Sequence, residues 1–450
     1  MHDLRRQALE SGKTISRKAR SRQASGQSSR AGSAASSRAA SRVASRNASD
    51  DEEGSLSDST NFSLNSIDDV LASEDVDTDA PPELWKAELS DRIEQLVDRK
   101  RSSVQGREES LAAYTHLLTS HYAKDDISAR IGELLPAILK SIKADTSERE
   151  TVLALKALAV TIITDPSDTI YDAATGPLKR TIADSGSMAT KAAAIHTLGT
   201  AAFYGGASLD ETENIMAFLL EIIESDGVSV SADDSAEVVT AALEEWGFLA
   251  TQLEDMSEST EEAMDALVEQ LESSSSEVAI AAGENIALLY EKSYTELEEG
   301  EDAPSDGSEE SDDEDPGHTS NGPKMVNRYT VYRRADQLKH TLETLASISG
   351  RGISKKDRKT LHSSFADILH TVEHPARGPA YSTAVSRETG KRYGSRMIVR
   401  IRDQGEMRID KWWKLSRLKA LRRVLQGGFV RHYEENEVVF ESLPIMISRK

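Results

Sequence analysis

Ala154-Leu-Lys-Ala-Leu158-Ala159, Ala194-Ile-His-Thr-Leu198-Gly199, Ala242-Leu-Glu-Glu-Trp246-Gly247 and Ala282-Gly-Glu-Asn-Ile286-Ala287 repeat one pattern. A small residue is followed by three variable ones, a large apolar residue and a second small or apolar one. Ala113-Tyr-Thr-His-Leu117-Leu118 is a weaker copy. Successive alanines lie 41, 40, 48 and 40 residues apart, the period of armadillo and HEAT helical repeats. Small residues let each inner helix press against its neighbours, and the large apolar residue fills the seam. No unit buries its face alone, so the units stack. A second helical segment precedes each inner helix, over 127–143, 175–183, 212–224 and 260–272. Pro136 and Pro177, also 41 apart, are expected in the first turns of two of these. The extra eight residues of the 48-residue interval are expected in a longer connection near 225–234. The reading is a mainly α protein whose residues 85–295 form an armadillo/HEAT-like α-solenoid of about five helix pairs.

On both sides of this segment the charge changes sign. The formal net charge of −23 over 450 residues hides strong segregation: +9 in residues 1–49, twelve acids and no base in 50–84, −23 in 85–297, eleven acids and no base in 298–323, and +14 in 324–450. Between Lys191 and Lys292 there are twenty-two carboxylates and no Lys or Arg. Such a run repels nucleic acid and favours a basic protein surface, so the solenoid is expected to bind protein. Residues 1–80 are low in complexity, Ser/Arg-rich and then acidic, and lack the apolar surface to offset the entropy of ordering; a disordered tail is expected. Arg-x-x-Ser recurs there, which makes Ser25, Ser41, Ser45 and Ser49 candidate phosphorylation sites whose modification would reverse the charge of the tail. Residues 298–323, acidic and rich in Pro, Gly and Ser, read as a self-repelling disordered linker.

There is no cysteine, which removes disulfides, thiol catalysis and thiolate zinc sites. No run approaches eighteen apolar residues, and the first residues lack the apolar core of a signal peptide, so neither a membrane span nor a signal peptide is expected. The expectation is a soluble protein of the cytoplasm and/or nucleus, with no membrane partner, cofactor or small-molecule substrate.

Residues 326–450 are expected to form a small, basic α+β domain held apart by the linker. Helices are expected over 334–347 and 354–372, the latter with Leu361, Phe365, Ile368, Leu369 and Val372 as its buried stripe. Cations in its first turn oppose the helix dipole and point to an external anion. A basic loop over 374–396 carries Tyr381 and Tyr393. Met397–Arg402 and Met407–Ile409 read as a β-hairpin. Asp410 is the expected N-cap of a helix running to Gln426 and stopped by Gly427-Gly428. Trp413, Leu418, Ala420, Leu421, Val424 and Leu425 make its apolar face, and Lys411, Lys419, Arg422 and Arg423 its basic face. Basic residues interleaved with aromatics suit phosphate contact and base stacking. The candidate RNA-binding set is Lys355, Lys356, Arg358, Lys359, Arg400, Arg402, Lys411, Trp412, Lys419, Arg422 and Arg423. For Trp412 the competing use is packing against the hairpin, and the commoner one; Trp413 reads as core. His370 and His374 are spaced for a metal on a helix, but Pro375 ends the helix and no third ligand is apparent, so no metal site is expected. Gly350-Arg-Gly352 lacks a nucleotide-binding fingerprint. Acidic clusters in the linker lack the fixed geometry of catalytic dyads. No enzyme is expected.

Lys355-Lys-Asp-Arg-Lys with Phe365-Ala-Asp-Ile-Leu369, then Met407-Arg-Ile-Asp410-Lys-Trp412, then Val424-Leu-Gln-Gly-Gly-Phe-Val-Arg-His432-Tyr with Asn436-Glu437 and Phe440, resemble in order the C-terminal region of the interferon-related developmental regulator family. The repeats and the Ser/Arg-rich start occupy the same places as in that family. The loop at 374–396 and the doublet Arg422-Arg423 depart from the animal pattern. The resemblance implies a non-enzymatic regulator of gene expression. It is expected to be a ribosome-associated translational regulator that binds ribosomal RNA through its basic end and protein through its solenoid. The alternative it implies is a nuclear transcriptional co-regulator that recruits deacetylase-containing chromatin complexes. A transport adaptor of the armadillo type, with basic peptides along the acidic solenoid, is a third reading.

Overall fold

The computed structural model describes residues 82–99, 102–297, 325–347, 355–376, 378–379, 398–401 and 405–443. The candidate phosphorylation sites Ser25, Ser41, Ser45 and Ser49, the acidic segment 298–323, Arg402 and most of the 374–396 loop lie outside them, as do the side chains of Lys355, Lys356 and Arg400.

Helices stack in antiparallel pairs. The first is α1 (Pro82–Val97) with α2 (Val104–Ser120); the single turn α3 (Lys124–Ile127) follows. Then come α4 (Ile131–Ala144) with α5 (Glu148–Thr164), α6 (Asp168–Asp184) with α7 (Met188–Tyr204), α8 (Leu209–Glu224) with α9 (Ala236–Ala250), and α10 (Ser257–Gln270) with α11 (Ser276–Lys292). The inner helices α2, α5, α7, α9 and α11 carry the five copies of the repeat. Ser103, Ser147, Ser187 and Ser208 cap α2, α5, α7 and α8 by accepting a backbone N–H, and Glu211 completes a capping box at the last of these.

The small residues of the repeat have a specific task. A Cβ at Gly199 would stand 1.9 Å from Glu245 Oε2, and one at Gly247 would stand 2.0 Å from Asn285 Oδ1. The closing glycine of one inner helix therefore makes room for a polar side chain of the next. At Gly283 the intruding group is Ile368 Cδ1, at 2.7 Å, from a helix assigned by sequence to a separate domain.

That helix, α13 (Lys355–Glu373), pairs with α12 (Ala335–Ala346) and packs on α11. Phe365 and Ile368 are fully buried there. The expected domain over 326–450 thus does not stand apart: its first two helices form a sixth pair of the same stack. The two ends of the acidic segment are joined by strands β1 (Tyr294–Glu296) and β2 (Met325–Asn327), antiparallel with Tyr294 opposite Asn327. A linker whose ends are zipped together cannot act as a spacer; it is an insertion between two repeats.

Two expectations about connections have different outcomes. The long connection after α8 is where it was placed, with a 3₁₀ turn at Val228–Val230. Gly227, at φ 85°, lies so close to Ala232 that a Cβ would meet its carbonyl oxygen at 2.2 Å. Its Val230 carbonyl accepts from Lys191 Nζ at 2.7 Å, alongside the Ile182 and Ala183 carbonyls at 2.7 and 2.9 Å. The insertion thereby helps bury Lys191, whose ammonium caps the end of α6. Pro136 and Pro177, by contrast, lie inside α4 and α6 and not in their first turns. The carbonyls each proline leaves without a donor belong to Gly132 and Ala173, both exposed residues, where the lost hydrogen bond is not a buried one.

β3 (Ile398–Ile401) and β4 (Gly405–Arg408) form the expected hairpin, with Ile398 opposite Arg408 and Ile401 opposite Gly405. After it come α14 (Trp412–Leu425), a 3₁₀ turn over Gln426–Gly428, α15 (Phe429–Glu435) and α16 (Glu437–Ser442). No helix among the described residues is long and apolar enough to cross a membrane.

The substitution Gly247→Ala is expected to cost about 1–3 kcal/mol by overpacking. Asn285 is buried and committed by a 2.8 Å bond to the Leu243 carbonyl, so it cannot step aside freely. Urea unfolding of the full chain measures this, and Gly132→Ala, with nothing within 4 Å of the new methyl, serves as the neutral control.

Candidate functional site

The variable positions of the repeat motif line the side of the stack that the C-terminal segment covers. They are Lys156 on α5, His196 on α7, Glu244 and Glu245 on α9, and Glu284 on α11. The helices that carry them are otherwise mostly apolar, so the groove is a line of polar groups on a largely apolar wall. A buried carboxylate there requires a cation or a set of hydrogen bonds.

The chain's own C-terminal segment supplies both. α14 runs along the groove, from α11 at its start toward α2 at its end. Arg423 donates to Glu245 through Nη1 and to Glu244 through Nη2, the latter at 2.6 Å. Lys419 Nζ meets both oxygens of Glu284 at 2.5 and 2.6 Å. Arg417 is held by Thr251 Oγ1 at 2.9 Å, the Thr251 carbonyl at 2.8 Å and the Ser442 carbonyl at 2.8 Å, between the rings of Phe203 and Trp413, each 5.0 Å away. At the turn after α14, Gly428 fits where a Cβ would be 1.6 Å from the Thr119 carbonyl of α2. His432 bonds the Leu118 carbonyl at 2.8 Å, Arg431 donates to His121 Nδ1 at 2.8 Å, and Asn436 Nδ2 donates to the Ile163 carbonyl at 3.0 Å. Tyr204 of α7 bonds Ser442 at 3.2 Å. Residues 412–443 therefore cross the inner helices and fold back over their C-terminal ends.

The start of α14 departs most from its sequence reading. Lys411, not Asp410, occupies the N-cap, and it makes no side-chain cap. Asp410 instead accepts from Lys414 at 2.6 Å. The cap comes from another helix: Glu291 of α11 accepts the Trp412 N–H at 2.9 Å and the Trp413 N–H at 3.2 Å. A carboxylate at a helix N-terminus satisfies two orphan donors and the dipole together. Trp412 takes the core role, the commoner of its two readings, against α13 and not the hairpin, and Trp413 is less buried than a core residue would be. Trp412 is buried, with its indole N–H on Thr371 Oγ1 at 2.8 Å, whereas Trp413 is half-buried under Arg417.

Burial governs the electrostatics of the seam. It pushes Glu245 and Glu291 up to about 7, against the pull of Arg423 on the first and of Lys411 and two N–H groups on the second. It lowers Lys156 to about 8 and, with Arg423 beside it, His196 to about 3. His432 and His121 are both pulled down to about 4, chiefly by burial and with Arg431 adding to it.

The candidate RNA-binding residues are not one face. Trp412, Lys419 and Arg423 are committed to the groove. Arg422 lies over the Phe429 ring at 5.9 Å, and Lys411 donates to the Ala376 carbonyl at 3.3 Å. Arg358 is half-buried and Lys359 exposed in the first turns of α13, where Lys355 and Lys356 also lie; Arg400 is in β3. The groove residues themselves escaped the sequence reading. Their signal was present: charged residues at the variable motif positions, in the middle of helices that are otherwise apolar.

The profile of a family described as interferon-related developmental regulator matches residues 48–373, across the acidic insertion and to the end of α13. The chain belongs to the interferon-related developmental regulator family. An uncharacterised protein of Schizosaccharomyces pombe is 30% identical over 359 residues, which is 79% of this chain and 73% of that protein. Interferon-related developmental regulator 2 of Mus musculus is 25% identical over 409 residues, 87% of this chain and 81% of that one. Among solved structures, a designed armadillo repeat protein in complex with the peptide (KR)4 is similar at a TM-score of 0.33 and 17% identity, over 62% of this chain and 99% of that one. So slight a likeness carries no argument, and the solenoid rests on the helix pairs themselves.

Arg423→Met strands Glu244 and Glu245, and is expected to cost about 3–5 kcal/mol in urea unfolding. A second test concerns His432. Unfolded, it takes a proton near pH 6.5; folded, it stays neutral down to about 4. Its contribution is full above pH 6.5 and is lost as pH falls through 4. Glu245 and Glu291 titrate in the same window with the opposite sign, so the comparison with His432→Gln isolates it. The stability gap between wild type and variant is expected to narrow steadily from pH 7 to pH 4.

Proposed function

We propose that this family member is a non-enzymatic, ribosome-associated regulator of translation. It contacts ribosomal RNA through cations at the end of the rod and binds a basic protein surface along its acidic outer helices. The observation that carries the reading is the surplus of positive charge. Residues 324–450 hold twenty-seven Lys and Arg against thirteen Asp and Glu; among the described residues Arg333, Lys414, Lys419, Arg423 and Arg431 form ion pairs. Lys355, Lys356, Arg358 and Lys359 crowd the first turns of α13, with Arg400 and Arg402 in the hairpin region as the second group. Dense phosphate is the partner that such a cluster fits, and binding of that kind weakens steeply with salt. The outer helices α8 and α10 expose Asp210, Glu211, Glu213, Glu258, Glu261, Glu262 and Asp265; this face would repel the same RNA and orient the rod away from it.

The fold also separates two classes of cation that sequence alone merges. Reversal of Lys355, Lys356 and Lys359 to Glu is expected to abolish co-sedimentation of the full chain with purified ribosomes at near-physiological salt, with thermal stability unchanged. Lys419→Glu and Arg423→Glu are expected to lower thermal stability first, because they place like charges against Glu284, Glu244 and Glu245. Undiminished co-sedimentation of the triple variant, or a light nuclear complex in place of RNase-sensitive ribosomal peaks in fractionated lysate, would overturn the reading.

A further inference from the structure

The last turn of α13 brings together His370, Glu373 and His374. Each offers one ligand atom, and the three atoms lie within 4.8 Å of one another. The third donor, which the histidine spacing alone did not reveal, is the residue just before His374. The two imidazole centroids are 4.9 Å apart and inclined by 57°; both rings are half-buried and the carboxylate is exposed.

The opposite side of the same turn is fixed in the core. Ile368, Thr371 and Val372 are buried. Thr371 Oγ1 donates to the Asp367 carbonyl at 3.0 Å and accepts the Trp412 indole N–H at 2.8 Å. The His374 N–H bonds the His370 carbonyl at 2.9 Å, so His374 remains in helical register although α13 ends at Glu373. Pro375 then stops the helix. The backbone carrying the three donors is therefore held by packing before any ion arrives, which lowers the entropy cost of chelation.

The donor chemistry narrows the ion. Two imidazoles and one carboxylate suit Zn²⁺ and its late first-row neighbours, whereas Ca²⁺ and Mg²⁺ take oxygen ligands. Bonds of about 2.1 Å in a tetrahedron place ligands about 3.4 Å apart, so side-chain rotations that close the cluster by about an ångström complete three corners. Water takes the fourth. The carbonyl end of a helix favours a cation there as well.

We propose that His370, Glu373 and His374 form a binding site for a late first-row divalent cation, Zn²⁺ above all. The bound ion closes the end of α13 just where Trp412 docks, and so stiffens the joint between the sixth helix pair and the groove segment. This inference is independent of ribosome binding.

Calorimetric titration of ZnCl₂ into the chelator-stripped full chain tests it. One saturable equivalent is expected, with affinity reduced at least about tenfold in His370→Ala and in His374→Ala, since a lost ligand costs no less than a lost outer-shell partner. Zn²⁺ is expected to raise the melting temperature of wild type and not of the double variant, and Co²⁺ to give visible absorption bands in wild type alone. Glu373→Gln, at an exposed position that leaves the fold intact, is expected to weaken binding as well. The chain has ten histidines, so location is decided by the variants. Absence of saturable binding, or equal affinity and stoichiometry in the double variant and in Glu373→Gln, overturns the proposal.

Discussion

Carboxylates buried on the inner helices of a helical stack cannot be left without partners, and this requirement shapes the molecule. Glu245 and Glu291 are taken almost wholly out of water. An unpaired charge in such a place costs several kcal/mol, more than a sizeable share of a domain's net stability. Arg423 answers the first and two backbone N–H groups of α14 answer the second. Once these contacts form, the position, direction and register of α14 in the groove are fixed. The arginine between Phe203 and Trp413 and the glycine against Thr119 then follow from geometry.

The same requirement makes the rod and its basic end one cooperative body. A solenoid is ordinarily a sum of nearest-neighbour interfaces. Here residues 412–443 touch α2, α5, α7, α9 and α11 together, and so couple repeats distant in sequence. Neutral histidines at 121 and 432, both buried, and at 196, half-buried, populate the seam with two carboxylates shifted toward neutrality. Its stability is therefore set by opposing titrations between about pH 4 and pH 7, and single substitutions there report more clearly than the raw pH curve.

For function, the consequence is a division of labour among cations of equal sequence appearance. Lys419 and Arg423 are neutralised within the fold, and their removal breaks the body. Lys359, in the first turns of α13, is turned outward. The outer helices α8 and α10 are acidic, Lys355, Lys356, Arg358 and Lys359 fall in the first turns of α13, and the groove between the repeats is filled by the chain's own segment 412–443.

The sequence by itself determined the helical repeat, its period, the long connection after α8, the hairpin, the buried stripe of α13 and the family, because each is local or periodic. Small residues every forty positions and apolar residues every three or four are imposed by nearest-neighbour packing and can be read without knowing what lies far away. The sequence did not determine that α12 and α13 continue the stack across an acidic insertion, since β1–β2 pairing joins residues thirty apart. Nor did it determine that Trp412 packs on Thr371 of α13, that Glu291 and not Asp410 caps α14, or that Lys419 and Arg423 face inward. Those were decided by tertiary structure alone. A lysine or arginine on an amphipathic helix looks the same whether its counter-charge is solvent, phosphate or a glutamate more than a hundred residues earlier, and only the approach of the two helices makes that choice.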